Sequence, residues 1–176
     1  MQRDRAIILL LLDTGMRAGE LCIPPKRKAP NTTGLLLKNV DLKDLQVKVT
    51  GKGDKERILP ISPPVAKAIW RYLTTRPDAL PHEPLILSRK GGCLTTDGLI
   101  QLIKHLGKRA GVPGSHPHRF RHTFAINLLR NGANAYELQA MLGHTSLEMV
   151  KRYLKLAQVD LEAAHKRASP VSNWHL

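Results

Sequence analysis

Cysteine is scarce. The 176 residues hold two, Cys22 and Cys93, with no CxxC pair. That excludes a disulfide-stapled scaffold and a cysteine-based metal site, and it points to a reducing, cytosolic setting. Long apolar runs are missing as well. The longest notable one, Ala6–Leu12, has seven residues, against the about 20 that a helix needs to cross a bilayer. Asp13 and Arg17 follow it where a secretory leader would carry a cleavage site, so no membrane partner is expected. Acidic residues also run short: 14 Asp plus Glu face 28 Lys plus Arg, a formal charge of +14 at pH 7. Such an excess favours a polyanionic partner, nucleic acid before others. No internal repeat is seen. What is present is a chain of single-domain size, 42% hydrophobic, long enough for a core and too apolar for a disordered tail.

Apolar spacing divides the chain into elements. Residues 4–13 read as a buried helix ending at Thr14-Gly15, where glycine lets the chain turn. Arg17 follows, Glu20 comes three residues later, and a short helix is expected over Ala18–Cys22. Pro24-Pro25-Lys26-Arg27-Lys28-Ala29-Pro30-Asn31 holds three prolines and three cations, so it is an exposed loop. Leu45, Val47 and Val49 alternate with polar residues at strand period; Gly51-Lys52-Gly53-Asp54 is a turn, and Lys55–Ile61 returns as the partner strand. Leu35–Leu37 offers a third strand. Val65, Ile69, Tyr72 and Leu73 mark one face of a helix over about 63–75.

Arg89-Lys90-Gly91-Gly92 is a second basic loop. Leu99, Leu102, Ile103, Leu106 and Ala110 keep helical spacing behind a Thr95 or Thr96 cap. Phe120, Phe124 and Leu128 place a helix over His118–Arg130, ended by Asn131-Gly132. Leu138, Met141 and Leu142 mark another, closed by Gly143. Thr145-Ser146-Leu147-Glu148 has capping-box spacing for the next, whose buried stripe is expected to be Leu147, Val150 and Leu154. Tyr153 then lies about 60° from Val150, at the edge of that stripe, where it can reach into a cleft. A last helix is expected over Val159–Lys166. The fold class is mainly α with a small antiparallel sheet (α+β).

Several of these residues suit one chemistry. Breaking a phosphodiester without a metal puts negative charge on two non-bridging oxygens, which guanidinium forks match in shape and sign. Arg17 and Arg121 stand in turn and helix-start contexts fit for that. Tyr153 offers a phenol able to form a covalent ester; a phenol ordinarily keeps its proton up to about pH 10, so cations and a base must help. His118, three residues before Arg121 on the same helix face, can take that proton. Lys52 on the hairpin tip can protonate the leaving alkoxide, and His144 at a helix entrance can bond a phosphoryl oxygen. Taken singly, each has a plainer reading: a surface arginine, a turn, a packed tyrosine. Gly-Lys-Gly lacks the GKS/GKT ending of a phosphate loop. His118 and His122 are spaced like zinc ligands, but Arg119 stands where a zinc hydrolase has its glutamate, and Arg121 adds charge that repels the ion.

The ordered set resembles the tyrosine recombinases, or phage integrases, in their catalytic domain. The matching pieces are Thr14-Gly15-Met16-Arg17-Ala18-Gly19-Glu20-Leu21, Gly51-Lys52-Gly53-Asp54-Lys55-Glu56-Arg57, His118-Arg119-Phe120-Arg121-His122, Leu142-Gly143-His144 and Tyr153, with nine residues from His144 to Tyr153. The resemblance implies the DNA breaking–rejoining fold. It implies that Arg17, Lys52, His118, Arg121 and His144 surround the scissile phosphate, that Tyr153 is the nucleophile, and that Glu20 supports the first arginine. It implies a 3′-phosphotyrosine intermediate and a free 5′-hydroxyl that later reseals a strand, with neither ATP, metal nor other cofactor. The expected partner is double-stranded DNA, with a tetramer expected on DNA and a monomer without it. The enzyme works in the cytoplasm, on the nucleoid.

Two departures stand out. The segment after Leu21 is longer than the family's by roughly a dozen residues, an insertion of small thermodynamic cost. The chain also begins almost at the helix before Arg17, so an N-terminal DNA-clamping domain is expected to be absent from it. Residues 1–156 are expected to form the catalytic domain, and 157–176 a tail helix and extension that docks on a neighbouring protomer. Lys26, Arg27, Lys28, Lys55, Arg57, Arg89, Lys90 and Arg119 are candidate DNA contacts. The competing functions are a DNA-binding module without catalysis, which the charge suits equally, and a type IB topoisomerase with the same chemistry.

Overall fold

The computed structural model describes residues 2–23, 34–51, 53–144 and 146–157, with His165, Ser169 and Val171 beyond them. It divides into two compact units, residues 1–124 and 125–176. The expected class holds: the described residues form helices and one small antiparallel sheet. Among the described residues no helix is long and apolar enough to cross a membrane.

In the first unit, α1 (Gln2–Thr14) buries Ala6, Ile7, Leu10, Leu11 and Thr14, a stripe at helical spacing. It packs on α3 (Pro63–Leu73), which buries Val65, Ala66, Ala68, Ile69 and Tyr72. Each of the large side chains so covered contributes about 1.5–3 kcal/mol relative to exposure. Leu73, expected on that face, is only half-buried. The sheet runs β1 (Val40–Asp41), β2 (Gln46–Thr50), β3 (Glu56–Pro60), all antiparallel. The β2–β3 register pairs Val47 with Leu59 and Val49 with Arg57. Val47, Val49 and Leu59 are buried while Lys48, Thr50, Glu56 and Ile58 face outward, as the pleat requires. α4 (Thr96–Arg109) starts at Thr95, whose hydroxyl accepts from the Gly98 N–H at 3.1 Å.

The third strand lies elsewhere than expected. Leu35–Leu37 does not pair with the hairpin; Leu36 bridges Pro84, and the chain enters a 3₁₀ turn at Leu37–Asn39. The strand is Val40–Asp41, paired with Val47 and Gln46. The Asp41 carboxylate closes the turn that follows, accepting from the N–H groups of Lys43 and Asp44 at 2.9 Å each.

The end of α1 has a specific construction. The Thr14 hydroxyl donates to the Leu10 carbonyl at 2.7 Å and accepts from the Met16 N–H at 3.3 Å. Gly15 then takes φ +59°, and a Cβ placed there would lie 2.3 Å from Cδ1 of Phe124. Both the left-handed backbone and the ring above it demand glycine.

α5 (Pro117–Arg130) begins in the first unit and ends in the second. In the second unit α6 (Ala135–Leu142) is capped by Asn134, whose side-chain oxygen accepts from the N–H groups of Tyr136 and Glu137. The Glu137 carboxylate accepts from the Asn134 N–H in return. Gly143, at φ 62°, ends the helix and turns the chain toward α7 (Glu148–Ala157). The cap expected at Thr145, and the helix expected over Val159–Lys166 apart from the helical His165, lie outside the described residues. The buried stripe of α7 is Val150, Tyr153 and Ala157; Leu147 and Leu154 are only half-buried. Tyr153 is therefore inside the stripe rather than at its edge, at 7% exposure.

Two predictions follow from the packing. Gly15→Ala should lower the unfolding free energy by about 2–4 kcal/mol in urea titrations, from left-handed strain plus the clash with Phe124. Burial pushes the Cys22 thiol up to about 12, whereas Cys93 is exposed. A thiol reagent at pH 8 should therefore label Cys93 at once and Cys22 only after denaturation.

Candidate active site

The first cluster forms where the Thr14–Arg17 turn meets the sheet. Arg17 precedes α2 (Ala18–Leu21), in which Glu20 is buried. Four hydrogen bonds converge on the Glu20 carboxylate. Arg57 Nη1 and Nη2 donate to Oε1 and Oε2 at 2.9 Å each. Arg17 Nη1 donates to Oε1 at 3.1 Å, and the Arg17 backbone N–H donates to Oε2 at 2.7 Å. The Glu20 side chain is 3% exposed, that of Arg57 14%, and that of Arg17 36%. Burial by itself would raise the Glu20 pKa, but the Arg57 hydrogen bonds, the Arg17 backbone N–H and the two guanidinium charges together hold it below the ordinary carboxylate range.

Local structure explains the meeting. Arg57 sits opposite Val49, so the pleat sends it to the sheet's core face with Leu59. Gly51 leaves room beside the pair: a Cβ there would come within 3.5 Å of both Arg57 Nη1 and Glu20 Oε1. Sequence reading named Arg57 only as a DNA contact. The signal for its partner was available in the strand alternation, which aims an arginine inward and so requires a buried counter-charge.

Arg121 is buried on α5, and its Nη1 donates to the Gly15 carbonyl at 2.8 Å. Arg17 and Arg121 are thus both tied to one turn, the first through Glu20 and the second through Gly15. His118, one turn earlier on α5, is exposed, its ring 6.1 Å from that of His116. Arg119 donates to the Pro113 carbonyl at 2.7 Å, bracing the loop before α5. In the second unit the rings of His144 and Tyr153 lie stacked, centroids 6.4 Å apart at 17°.

The other predicted residues are scattered. Lys55 is exposed beside the hairpin, and Arg89 and Lys90 are exposed in the turn between Leu87 and Cys93, which bridge each other. Lys26, Arg27, Lys28 and Lys52 lie outside the described residues. Arg89 also lines a cleft of about 410 Å³ with Arg3, Ser88 and His105. A cleft of about 550 Å³ beside Lys104, Lys108 and His116 shares no lining residue with the arginine cluster. Among the described residues no three His, Cys, Asp or Glu gather as metal ligands.

The arrangement in the first unit presents guanidinium groups held rigidly by buried acceptors, a geometry for binding an anion of fixed shape such as a phosphodiester. The model of the phage integrase family matches residues 1–159. The tyrosine recombinase XerC of Staphylococcus epidermidis is 37% identical over 171 residues, covering 96% of this chain and 54% of the relative. The chain thus spans about half of that relative's length. Among solved structures, the XerA recombinase superposes with a TM-score of 0.75 at 30% identity, covering 96% of this chain and 57% of that one. The XerH site-specific recombinase bound to its difH substrate, in a pre-cleavage complex, gives 0.72 at 25% identity, covering 94% and 46%.

The Glu20 cluster makes a prediction about acid. Its folded pKa lies below the ordinary 4.5, so on acidification the unfolded chain binds this proton first. The stabilisation is complete above about pH 4.5 and is lost as pH falls through the folded value. Glu20→Gln should be less stable than the parent at neutral pH, with the gap narrowing below about pH 4.5 in thermal melts.

Proposed function

The chain belongs to the phage integrase family, and on that footing we propose that it is the cutting and rejoining part of a site-specific DNA recombinase. The observation that carries the reading is the pair of arginines anchored to one turn, Arg17 through Glu20 and Arg121 through the Gly15 carbonyl. Rigid forks of this kind stabilise charge that develops on phosphoryl oxygens, because they need no reorganisation as the reaction proceeds.

In the proposed reaction the Tyr153 phenolic oxygen attacks phosphorus in a DNA strand while His118 takes the phenolic proton. The bond from phosphorus to the 5′-oxygen breaks, and Lys52 supplies the proton for the departing hydroxyl. Arg17, Arg121 and a hydrogen bond from His144 hold the non-bridging oxygens. The product is a 3′-phosphotyrosine ester and a free 5′-hydroxyl. Attack by a 5′-hydroxyl of the partner duplex reverses the step and reseals the strand. The ester keeps the energy of the original bond, so neither ATP nor metal is required. Residues 1–156 carry this chemistry, and 157–176 act as a tail toward a neighbouring protomer. Duplex DNA is the substrate, the assembled form is a tetramer on DNA, and the setting is the cytoplasm. The +14 charge suits duplex DNA as the ligand, and the structural relative XerH is described as a site-specific recombinase bound to a difH substrate.

A duplex nicked near the target phosphate loses the small fragment on cleavage and so traps the covalent complex. The parent should accumulate adduct, and Tyr153→Phe should form none. Arg17→Ala and Arg121→Ala should each slow adduct formation by about 100- to 1000-fold. Equal adduct from Tyr153→Phe would overturn the reading.

A further inference from the structure

We propose that Arg57 is a positioning residue for Arg17, acting through Glu20 as a two-sided clamp; this rests on the strand-transfer reading above. Four observations support it. Arg57 grips both oxygens of the Glu20 carboxylate at 2.9 Å, which fixes the plane of that carboxylate. The oxygen Oε1 then has a set direction in which to accept from Arg17 Nη1. The Arg57 side chain is 14% exposed, so its guanidinium is placed for Glu20 rather than for a DNA backbone. Its strand position fixes it from below, opposite Val49 on the sheet's core face, one pair from the hairpin turn.

The clamp explains the choice of side chain. A glutamate has three rotatable bonds, and the partly exposed Arg17 guanidinium alone would leave both partners mobile. Arg57 removes that freedom from the more buried side. A lysine there would keep the charge but could not make two parallel bonds in one plane. The clamp also joins two segments 37 residues apart in the chain: the Arg17 turn, and the strand that follows the Lys52 hairpin. Gly51, the residue before Lys52, passes close over the pair. The orientation of the first arginine is therefore set from the hairpin side.

The test has two arms on the full chain. The first uses no DNA: arginine side-chain NMR follows the exchange of the Arg17 guanidinium protons. Arg57→Ala and Arg57→Lys should speed that exchange by about tenfold or more, since a charged hydrogen-bond acceptor has lost its orientation. Unchanged Arg17 exchange in the folded Arg57→Lys protein overturns the proposal, whatever the chain does to DNA. The second arm measures adduct formation on the nicked duplex. Arg57→Ala and Arg57→Lys should each cut the rate at saturating duplex by about 100-fold, with the half-saturating duplex concentration within about twofold of the parent. The Glu20→Gln/Arg57→Ala double variant should be no slower than the slower single variant, because both act through one contact. Weaker binding with a salt slope reduced by about one charge, and an unchanged rate at saturation, would make Arg57 a phosphate contact and overturn the proposal. A parent chain that forms no adduct counts against the strand-transfer reading, and the first arm still decides the clamp.

Discussion

A carboxylate almost cut off from water, with two guanidinium groups closed around it, is the constraint on which the rest of the first unit turns. Left alone at that depth, Glu20 would be strongly destabilising, and it would hold a proton rather than a charge. Arg57 and Arg17 change the balance, and four hydrogen bonds use the carboxylate's lone pairs. Breaking such a buried pair by removing one partner typically costs about 3–5 kcal/mol, because the remaining charge stays buried. The pair therefore holds two things together: the turn that presents Arg17, and the hairpin strand that carries Arg57. Packing of α1 against α3 supplies the apolar stability beneath.

The second anchor is the Gly15 carbonyl. A left-handed glycine under the Phe124 ring aims that carbonyl at Arg121, so a backbone feature at one end of α1 holds a side chain more than 100 residues away. The neutral carbonyl satisfies part of the guanidinium without cancelling its charge. Arg17, by contrast, is held by a carboxylate.

Much of this was legible in the sequence. Helical spacing located α1, α3, α4, α5 and α6, because their apolar residues recur on one face. Alternation located β2, and the Gly51–Asp54 turn placed β3 as its returning partner. The family resemblance, carried by five ordered motifs, agrees with the match to the phage integrase model. The misreadings have local causes. Val40–Asp41 is a two-residue strand, too short to show a period. The stripe of α7 was drawn through its leucines, whereas the helix buries Val150, Tyr153 and Ala157, a set whose alanine and tyrosine give a weaker apolar signal. The partnership of Arg57 and Glu20 links residues 37 apart, and no local pattern states which buried charge will meet which. The basic loop at Lys26–Lys28 and the hairpin tip at Lys52 lie outside the described residues, so the loop's expected role rests on its charge and that of Lys52 on its place in the hairpin and on the resemblance.

The central claim is that the tyrosine of α7 takes up the DNA strand through a 3′ phosphate. The most direct measurement is tandem mass spectrometry of the trapped adduct after digestion with protease and nuclease. The account predicts a single modified peptide bearing a nucleotide on the Tyr153 oxygen, joined through its 3′-phosphate. A nucleotide on any other residue, or a link through a 5′-phosphate, would contradict it.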